Sequence, residues 1–254
     1  MSASDVLKLD VDGVIATITL SRPAKHNLLE ISDMGAFTTL LEDIDSRDDL
    51  RVLLLTGAGE RSFCAGVDLG AVQETDWSNN PLERLCDRME AMALPTVCAL
   101  NGSVYGGACD LALACDFRIG VDGMKLVMPP ARLGVIYHET GLRRFVERLG
   151  PQVARRLFLA SEVMPSDELL QIGFLDRVVA RGDLARTVET FVDELAGMSP
   201  LAVRGMKRAI NEISRGTLDA ARLKEETLAC FASDDLAEGL AASRQKRKPD
   251  FRGS

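Results

Sequence analysis

The sequence predicts an α/β protein, because short apolar runs typical of strands alternate with segments of helical spacing. Val14 to Leu20 alternates apolar and polar positions, as a half-buried strand does, and Arg51 to Thr56 is a continuous apolar run that suits a buried strand. Between them, Ile31 to Ile44 has the spacing of an amphipathic helix, with Ser32 and Asp33 as its predicted caps. This alternation recurs further along the chain and indicates repeated β-β-α units.

The same pattern continues through the middle of the chain and gives way to helices towards its end. The predicted elements of the middle part are strands at Thr96 to Leu100, Phe117 to Gly120 and Leu126 to Met128, with a helix near Cys109 to Cys115. From Gly141 onward the spacing is mostly helical, with one strand predicted at Leu175 to Ala180.

The last helical segment, Leu201 to Ala242, contains too little sequence to form a core of its own. We therefore expect its apolar faces to pack on the rest of the chain or on another subunit. On this basis the chain divides into an α/β core of residues 1–195 and a C-terminal helical region of residues 196–254.

Length, composition and charge limit the class of protein. The chain has 254 residues, 46% of them hydrophobic, which is enough for one large core. The six cysteines form no CxxC pair and there are only two histidines, so we expect a reduced protein without a metal site. A net charge of −8 disfavours nucleic acid as the main partner. The sequence shows no signal peptide and no apolar run of the roughly 20 residues that cross a membrane, so we expect a cytoplasmic protein.

Two glycine-containing segments carry the main functional signal. Phe63 to Leu69 and Asn101 to Asp116 each follow an apolar, strand-like run, and each precedes a predicted helix. Gly106 and Gly107 allow a tight turn and the close approach of a ligand to the backbone, and the helix that follows adds its positive end. Two such loops can aim two backbone N–H groups into one cleft, as stabilisation of a thioester enolate oxygen requires.

Five ordered pieces of the chain resemble the crotonase superfamily, also known as the enoyl-CoA hydratase/isomerase family. They are RPAKHN (22–27), AGVD (65–68), NGSVYGG (101–107), PPARLG (129–134) and EGLAASRQKRKPDF (238–251). The resemblance covers nearly the whole chain. It implies a crotonase-type spiral of β-β-α units with a C-terminal helical oligomerisation region. It also implies homotrimers or dimers of trimers, an acyl-CoA thioester as substrate, and no separate cofactor.

By this resemblance, the two oxyanion donors are the N–H groups of Val67 and Gly107. The residues that would line the path of coenzyme A are Ala65, Asp68 and Leu69, and those that would meet its phosphates are Lys25 and Lys246. The segment Asp76 to Pro81 is polar and rich in turn-forming residues, so we expect a mobile loop beside the acyl pocket. Trp77 in this loop would either line that pocket or pack on its own subunit.

The two carboxylates that hydratases of this family use are altered in this chain. Asp110 lies one helical turn after Gly107, so its side chain is expected to face the same cleft, or else only to compensate the helix dipole. Family hydratases have a glutamate at that place. The place of their second glutamate falls on Pro130, which cannot transfer a proton. Because positioned acid–base groups contribute about 10²- to 10⁴-fold each, ordinary hydration is disfavoured.

The segment Tyr137-His138-Glu139 would, by the resemblance, border the acyl end of the substrate. The LGVxY pattern that ends at Tyr137 is similar to that of the family's methylmalonyl-CoA decarboxylases, which also lack the second glutamate. The sequence therefore favours a decarboxylase for methylmalonyl- or malonyl-type thioesters. Tyr137 would orient the carboxylate and Asp110 would assist in positioning or protonation, while His138 and Glu139 would contact the substrate.

Two alternatives stay open at this point. The first is a 2-enoyl-CoA hydratase or isomerase that uses Asp110 with an unconventional second group such as Glu139. The second is a non-catalytic acyl-CoA-binding scaffold, which would keep the glycine loops and tolerate Pro130 in place of an acid.

Overall fold

The structure, a computed structural model, describes residues 6–68, 70, 73 and 75–254. Its ten strands are β1 (Leu7–Asp12), β2 (Ile15–Leu20), β3 (Val52–Gly57), β4 (Ser62–Cys64), β5 (Thr96–Leu100), β6 (Ser103–Tyr105), β7 (Phe117–Val121), β8 (Lys125–Val127), β9 (Val163–Pro165) and β10 (Arg177–Val179). Its ten α-helices are α1 (Ile31–Asp45), α2 (Pro81–Glu90), α3 (Gly107–Ala114), α4 (Glu139–Leu149), α5 (Pro151–Phe158), α6 (Ser166–Gln171), α7 (Leu184–Ala196), α8 (Pro200–Arg215), α9 (Ala220–Phe231) and α10 (Asp234–Gln245). Both counts refer to the described residues.

The strands form two sheets, and from β3 to β8 successive strands of the chain join first one sheet and then the other. The larger sheet has the order β1-β2-β3-β5-β7-β10, and the smaller sheet has the order β4-β6-β8-β9. All neighbours are parallel except β1 with β2 and β8 with β9. Three successive β-β-α units, β3-β4-α2, β5-β6-α3 and β7-β8-α4, each add one strand to both sheets. The predicted β-β-α units and α/β fold class are confirmed.

Helix α3 lies at the centre of this arrangement. All eight of its residues are buried, and it packs against both α2 and α4. A helix that is apolar and buried on every side is typical of the middle of a large core. Any polar side chain on α3 must therefore find its partners within the protein.

The start of α1 differs from the prediction. The helix begins after Glu30, whose N–H donates to Asp33 Oδ2 at 2.8 Å, and Ser32 is not the cap. Asp33 also accepts from the buried Arg22 Nη1 at 2.8 Å. Asp33 therefore closes the first turn from its third position and neutralises a buried arginine at the same time.

The segment Asp76 to Pro81 leads into α2. Trp77–Asn79 forms a 3₁₀ turn, and Asn80 Oδ1 accepts the N–H groups of Leu82 and Glu83 at 3.0 and 3.2 Å. An asparagine followed by proline is a strong helix start, so Asn80 caps α2 and Pro81 is its first residue.

The C-terminal helices are anchored to the core by one face. Lys207 on α8 donates to Asp116 Oδ2 at 2.6 Å and to the Leu94 carbonyl at 2.8 Å. The region also leaves large apolar side chains exposed: Met206, Ile210 and Ile213 on α8, and Leu228 and Phe231 on α9. In the described part of the chain, no helix has the length and apolarity needed to cross a membrane.

Candidate functional site

The two glycine loops meet in the structure, as the sequence predicts. Gly66 has a φ of +90°, and a Cβ placed there would lie 2.6 Å from the Tyr105 carbonyl oxygen and 3.5 Å from the Gly107 nitrogen. A Cβ placed on Gly107 would lie 3.1 Å from Val67 Cγ2. Gly66 is therefore required both for its backbone conformation and for the closeness of the loops. The loops bring Val67 and Gly107 side by side.

The backbone N–H groups of Val67 and Gly107 take no part in the hydrogen bonds formed among the described residues around them. Around Val67, the N–H of Leu29 donates to Gly66 and the N–H of Asp68 donates to Leu29, each at 2.8 Å. Gly107 is the first residue of α3, where a helix leaves its N–H groups without a partner in the helix. Within the described residues, neither N–H has a protein acceptor. Two adjacent free donors at a helix N-terminus can bind an oxyanion.

Asp110, in the first turn of α3, is fully buried. Its Oδ1 accepts from Arg144 Nη1 at 2.5 Å, and its Oδ2 accepts from the Tyr137 hydroxyl at 3.2 Å. His138 Nε2 also lies 3.2 Å from Oδ2. The structure places this carboxylate in the first turn of α3, where it can compensate the helix dipole, one of the two predicted roles. It also covers the carboxylate with side chains that follow α3 by about 30 residues, because a buried charge needs an opposite charge and hydrogen-bond donors.

Arg144 on α4 holds several carboxylates together inside the protein. It is fully buried, and besides Asp110 it contacts Asp87 Oδ1 at 2.8 Å through Nη2 and Glu90 Oε1 at 3.2 Å through Nε. Glu90 is also contacted by Arg148 and Arg215. Sequence reasoning missed Arg144. The available signal was its spacing on α4, because position 144 lies on the same face as the buried positions 141 and 145.

These contacts fix the charges of the site. Burial alone would raise the pKa of Asp110, but the nearby imidazole of His138 and the charge of Arg144 outweigh burial and hold that pKa below its ordinary value. For Tyr137, burial and then the negative charge of Asp110 both raise the pKa well above its ordinary value. At neutral pH, Asp110 is therefore a carboxylate and Tyr137 a protonated hydroxyl that donates to it.

Gly141 makes room for this cluster, and sequence reasoning also missed it. A Cβ on Gly141 would lie 2.4 Å from Tyr137 Cε1, 2.7 Å from His138 Cε1 and 2.8 Å from Asp110 Oδ2. Its N–H donates to His138 Nδ1 at 3.1 Å. The chain must therefore have a glycine where Tyr137, His138 and Asp110 converge.

Two other residues considered in the sequence analysis, Glu139 and Pro130, lie outside the cluster of Tyr137, His138 and Asp110. Glu139 is the exposed first residue of α4 and is not among the groups that contact Asp110 in the described part of the chain. Pro130 is buried at the start of a 3₁₀ turn, Pro130–Leu133, and supplies no acid there. The structure thus brings Asp110, Tyr137 and His138 together and leaves Glu139 outside.

The residues predicted to contact coenzyme A lie beside the glycine loops and near the end of the chain. Ala65 and Asp68 flank Gly66 and Val67 and are half-buried, while Lys25 and Lys246 are exposed. Lys25 Nζ lies 3.5 Å from Glu30 Oε1, and Lys246 has a left-handed conformation just after α10. Trp77 is 37% exposed in its 3₁₀ turn. Leu69 lies outside the described residues.

A cavity of about 560 Å³ opens elsewhere, between α8, α9 and the segment before β5. Its cations are engaged within the protein: Arg204 with the Leu50 carbonyl, Lys207 with Asp116, Arg208 and Arg222 with Glu226, and Arg215 with Glu90. We place the candidate site at the glycine loops instead, because the N–H groups of Val67 and Gly107 there have no acceptor among the residues that the structure describes. In the described ranges, no group of three or more His, Cys, Asp or Glu side chains is arranged to hold a metal ion.

Comparison with known proteins gives a consistent result over the whole chain. The family model described as enoyl-CoA hydratase/isomerase matches residues 10–254. A crotonyl-CoA hydratase from Syntrophomonas wolfei is 32% identical, covering 96% of both chains. A short-chain-enoyl-CoA hydratase from Clostridium acetobutylicum is 28% identical, covering 94% of this chain and 95% of its own. The crystal structure of an enoyl-CoA hydratase/carnithine racemase from Magnetospirillum magneticum superimposes with a TM-score of 0.93 at 28% identity, over 98% of this chain and 96% of its own.

Proposed function

The chain belongs to the enoyl-CoA hydratase/isomerase family of the crotonase superfamily, and on that premise we propose that it binds an acyl-CoA thioester and stabilises its enolate. The observation that carries this proposal is the pair of adjacent N–H groups on Val67 and on Gly107, the first residue of α3, neither of which has an acceptor within the described ranges. The thioester oxygen would lie between them, where developing negative charge meets donors that need no rearrangement.

The relatives support hydration of a 2-enoyl-CoA as the first candidate reaction. Two of them are named as hydratases of short-chain or crotonyl thioesters. In this reaction water adds to the β-carbon, the oxyanion hole holds the enolate, and a proton is then delivered to the α-carbon. With Pro130 in place of an acid, the proton-transfer groups would have to come from the cluster of Asp110, Tyr137 and His138.

A specific observation keeps decarboxylation of a malonyl-type thioester as the second candidate. Asp110 is ion-paired to Arg144 and ionised, so it has no proton to give at neutral pH. Loss of CO2 from a malonyl-type thioester needs no base. It needs an enolate stabiliser, a group that orients the carboxylate, and a proton source afterwards. The Tyr137 hydroxyl, which stays protonated, would be the group that orients that carboxylate.

One turnover comparison separates the two reactions. Purified protein at equal concentration is given crotonyl-CoA, malonyl-CoA and methylmalonyl-CoA, and loss of the enoyl absorbance and release of CO2 are measured. Fast hydration without CO2 release supports the first candidate, and the reverse supports the second. Binding of all three thioesters without turnover of any would identify a scaffold. Absence of binding would overturn the enolate proposal itself.

The variant Tyr137→Phe sharpens this comparison. If the hydroxyl acts on the reacting group, kcat should fall while the affinity for a non-reacting acyl-CoA analogue stays the same, because an interaction made mainly in the transition state affects kcat. Equal losses in kcat and in analogue affinity would assign Tyr137 to ordinary binding.

We also propose that the exposed apolar face of α8 and α9 contacts another copy of the chain. Ile210 on α8 and Phe231 on α9 are 64% and 71% exposed, and exposed apolar patches of this kind mark interfaces. Sedimentation of the wild-type chain should show a trimer or a dimer of trimers, and Ile210→Glu should shift it to smaller species. A wild-type chain that sediments as a monomer would contradict this proposal.

A further inference from the structure

The cavity of about 560 Å³ between α8, α9 and the segment before β5 has the size of a ligand site. Small-molecule sites in proteins commonly measure about 300–1,000 Å³ and combine apolar walls with a few polar groups. Part of the lining is apolar and consists of Ala91, Met92 and Ala93 before β5, Leu201 on α8 and Ala229 on α9. Most of the remaining lining is charged, so a ligand in the cavity would meet both kinds of surface.

The lining carries an excess of positive charge, although the chain as a whole has a net charge of −8. In the part of the chain that the structure describes, it contains five cations and two carboxylates: Arg204, Lys207, Arg208, Arg215 and Arg222, with Glu212 and Glu226. Four of the five cations are paired with a carboxylate that lies in the lining or beside it. Arg204 is the exception.

Arg204 has no carboxylate partner among the described residues. Its Nη2 donates to the carbonyl oxygen of Leu50 at 3.2 Å, an acceptor without net charge. Arg204 also lies three and four residues before Lys207 and Arg208 on the same helix, and like charges at these spacings repel each other. Because Arg204 is half-buried, water compensates its charge only in part. An anion in the cavity would supply the missing opposite charge.

The cavity lies on a different side of α8 from the apolar face that we assign to contact with another copy. Successive residues of an α-helix are about 100° apart around its axis. Arg204 and Arg208, which line the cavity, therefore lie on roughly the opposite side of α8 from the exposed Met206 and Ile210. A second copy packed on the exposed face would not by itself fill the cavity.

We propose that this cavity binds an amphipathic anion, a carboxylate with a short apolar chain, and that Arg204 pairs with the carboxylate. A guanidinium group has five N–H donors, and the one that donates to Leu50 leaves others for the ligand. Arginine and carboxylate form short, charge-assisted hydrogen bonds. The apolar chain would lie against Met92 and Leu201. The cavity is separate from the glycine loops, so this inference goes beyond the acyl-CoA function and does not depend on it.

The test is isothermal titration calorimetry of the full chain with octanoate and with 1-octanol, which has the same chain length but no charge. Octanoate should bind the wild type with a Kd below about 1 mM, and 1-octanol at least about 10-fold more weakly, because it cannot form the charge-assisted hydrogen bond. Arg204→Met should weaken octanoate binding by about 10-fold or more for the same reason. The control is Arg186→Met, which removes an exposed arginine paired with Asp183 outside the cavity and should bind octanoate as the wild type does.

A second variant tests the cavity without removing a charge. Ala229 is an exposed residue of α9 that lines the cavity, so Ala229→Phe should fold, occupy part of the space and weaken octanoate binding. It decides the question alone if circular dichroism shows that Arg204→Met does not fold.

A competition experiment separates this cavity from the site at the glycine loops. Excess butyryl-CoA should leave octanoate binding unchanged, and displacement of octanoate by butyryl-CoA would overturn the proposal. A wild type that does not bind octanoate, equal affinity for octanoate and 1-octanol, or wild-type affinity in folded Arg204→Met would each overturn it as well. Absence of butyryl-CoA binding would count against the acyl-CoA function and leave this inference standing.

Discussion

Substitution of Gly141 by alanine should disturb the site more than it disturbs the fold. The new Cβ would lie 2.4 Å from Tyr137 Cε1 and 2.7 Å from His138 Cε1. Two carbon atoms in contact are ordinarily about 3.5–4.0 Å apart, so the Tyr137 ring must retreat by about 1 Å. A misplacement of about 1 Å can cost on the order of 10²-fold in rate, and we expect kcat to fall by about that factor.

The same substitution has two opposing effects on stability. Overpacking a well-packed site costs about 1–3 kcal/mol, and replacing a helical glycine by alanine returns up to about 1 kcal/mol. The net loss should lie between about 0 and 3 kcal/mol, which lowers the melting temperature by at most about 12 °C in a chain of this size.

A matched variant separates these effects from the general effect of alanine in a helix. Gly35 is an exposed residue of α1, and a Cβ there would meet nothing within 4 Å. Gly35→Ala should gain up to about 1 kcal/mol and leave kcat unchanged. Thermal melts and steady-state kinetics of the two variants check the reasoning. A folded Gly141→Ala protein with wild-type kcat would show that the arrangement of Tyr137, His138 and Asp110 does not matter for turnover.

Three further predictions follow from the same contacts. Gly107→Pro removes one oxyanion donor at the first position of α3, where a Cβ would also meet Leu82 Cδ2 at 2.7 Å, so the kcat of the protein that folds should fall by at least about 10²-fold, and a near-normal kcat would show that this N–H takes no part in the reaction. Arg144→Met leaves Asp110 buried without that cation and should cost about 3–5 kcal/mol in chemical denaturation at pH 7, whereas a loss under 1 kcal/mol would contradict the ion pair. Because the pKa of Asp110 is lowered by folding, its charge stabilises the fold above its ordinary pKa and this contribution is lost as the pH falls through the lowered value. Melting temperatures measured from pH 7 down to pH 3 should therefore fall less steeply for Asp110→Asn than for the wild type. If the melting temperatures of the two proteins fall equally steeply at acid pH, the result would count against an ionised Asp110.

The glycine loops could be predicted from sequence because their signal is local. An apolar run followed by AGVD or by NGSVYGG already fixes a strand, a turn that needs glycine, and the start of a helix. Strand pairing then brings the loops together, since β4 and β6 are parallel neighbours in the smaller sheet. The adjacency of Val67 and Gly107 follows from these two facts.

The surroundings of Asp110 could not be predicted in the same way. Its partners Tyr137, His138 and Arg144 follow it by 27 to 34 residues, so only the packing of α4 on α3 brings them together. In the sequence, Arg143-Arg144 resembles an ordinary solvated pair on a helix surface. The structure separates the two, because Arg144 lies on the buried face and Arg143 is partly exposed.

The arginine network explains why the two partners of the buried ion pair should differ in their effect on stability. Arg144 binds Asp110, but it also binds Asp87 and Glu90. If Asp110 is replaced by asparagine, Arg144 loses one of three carboxylates and remains paired with the other two. The large cost of an uncompensated buried charge therefore does not arise in that variant. Removal of Arg144 would produce such a charge on Asp110. The asymmetry predicts that Arg144→Met is more destabilising at pH 7 than Asp110→Asn, which denaturation of the two variants under the same conditions checks.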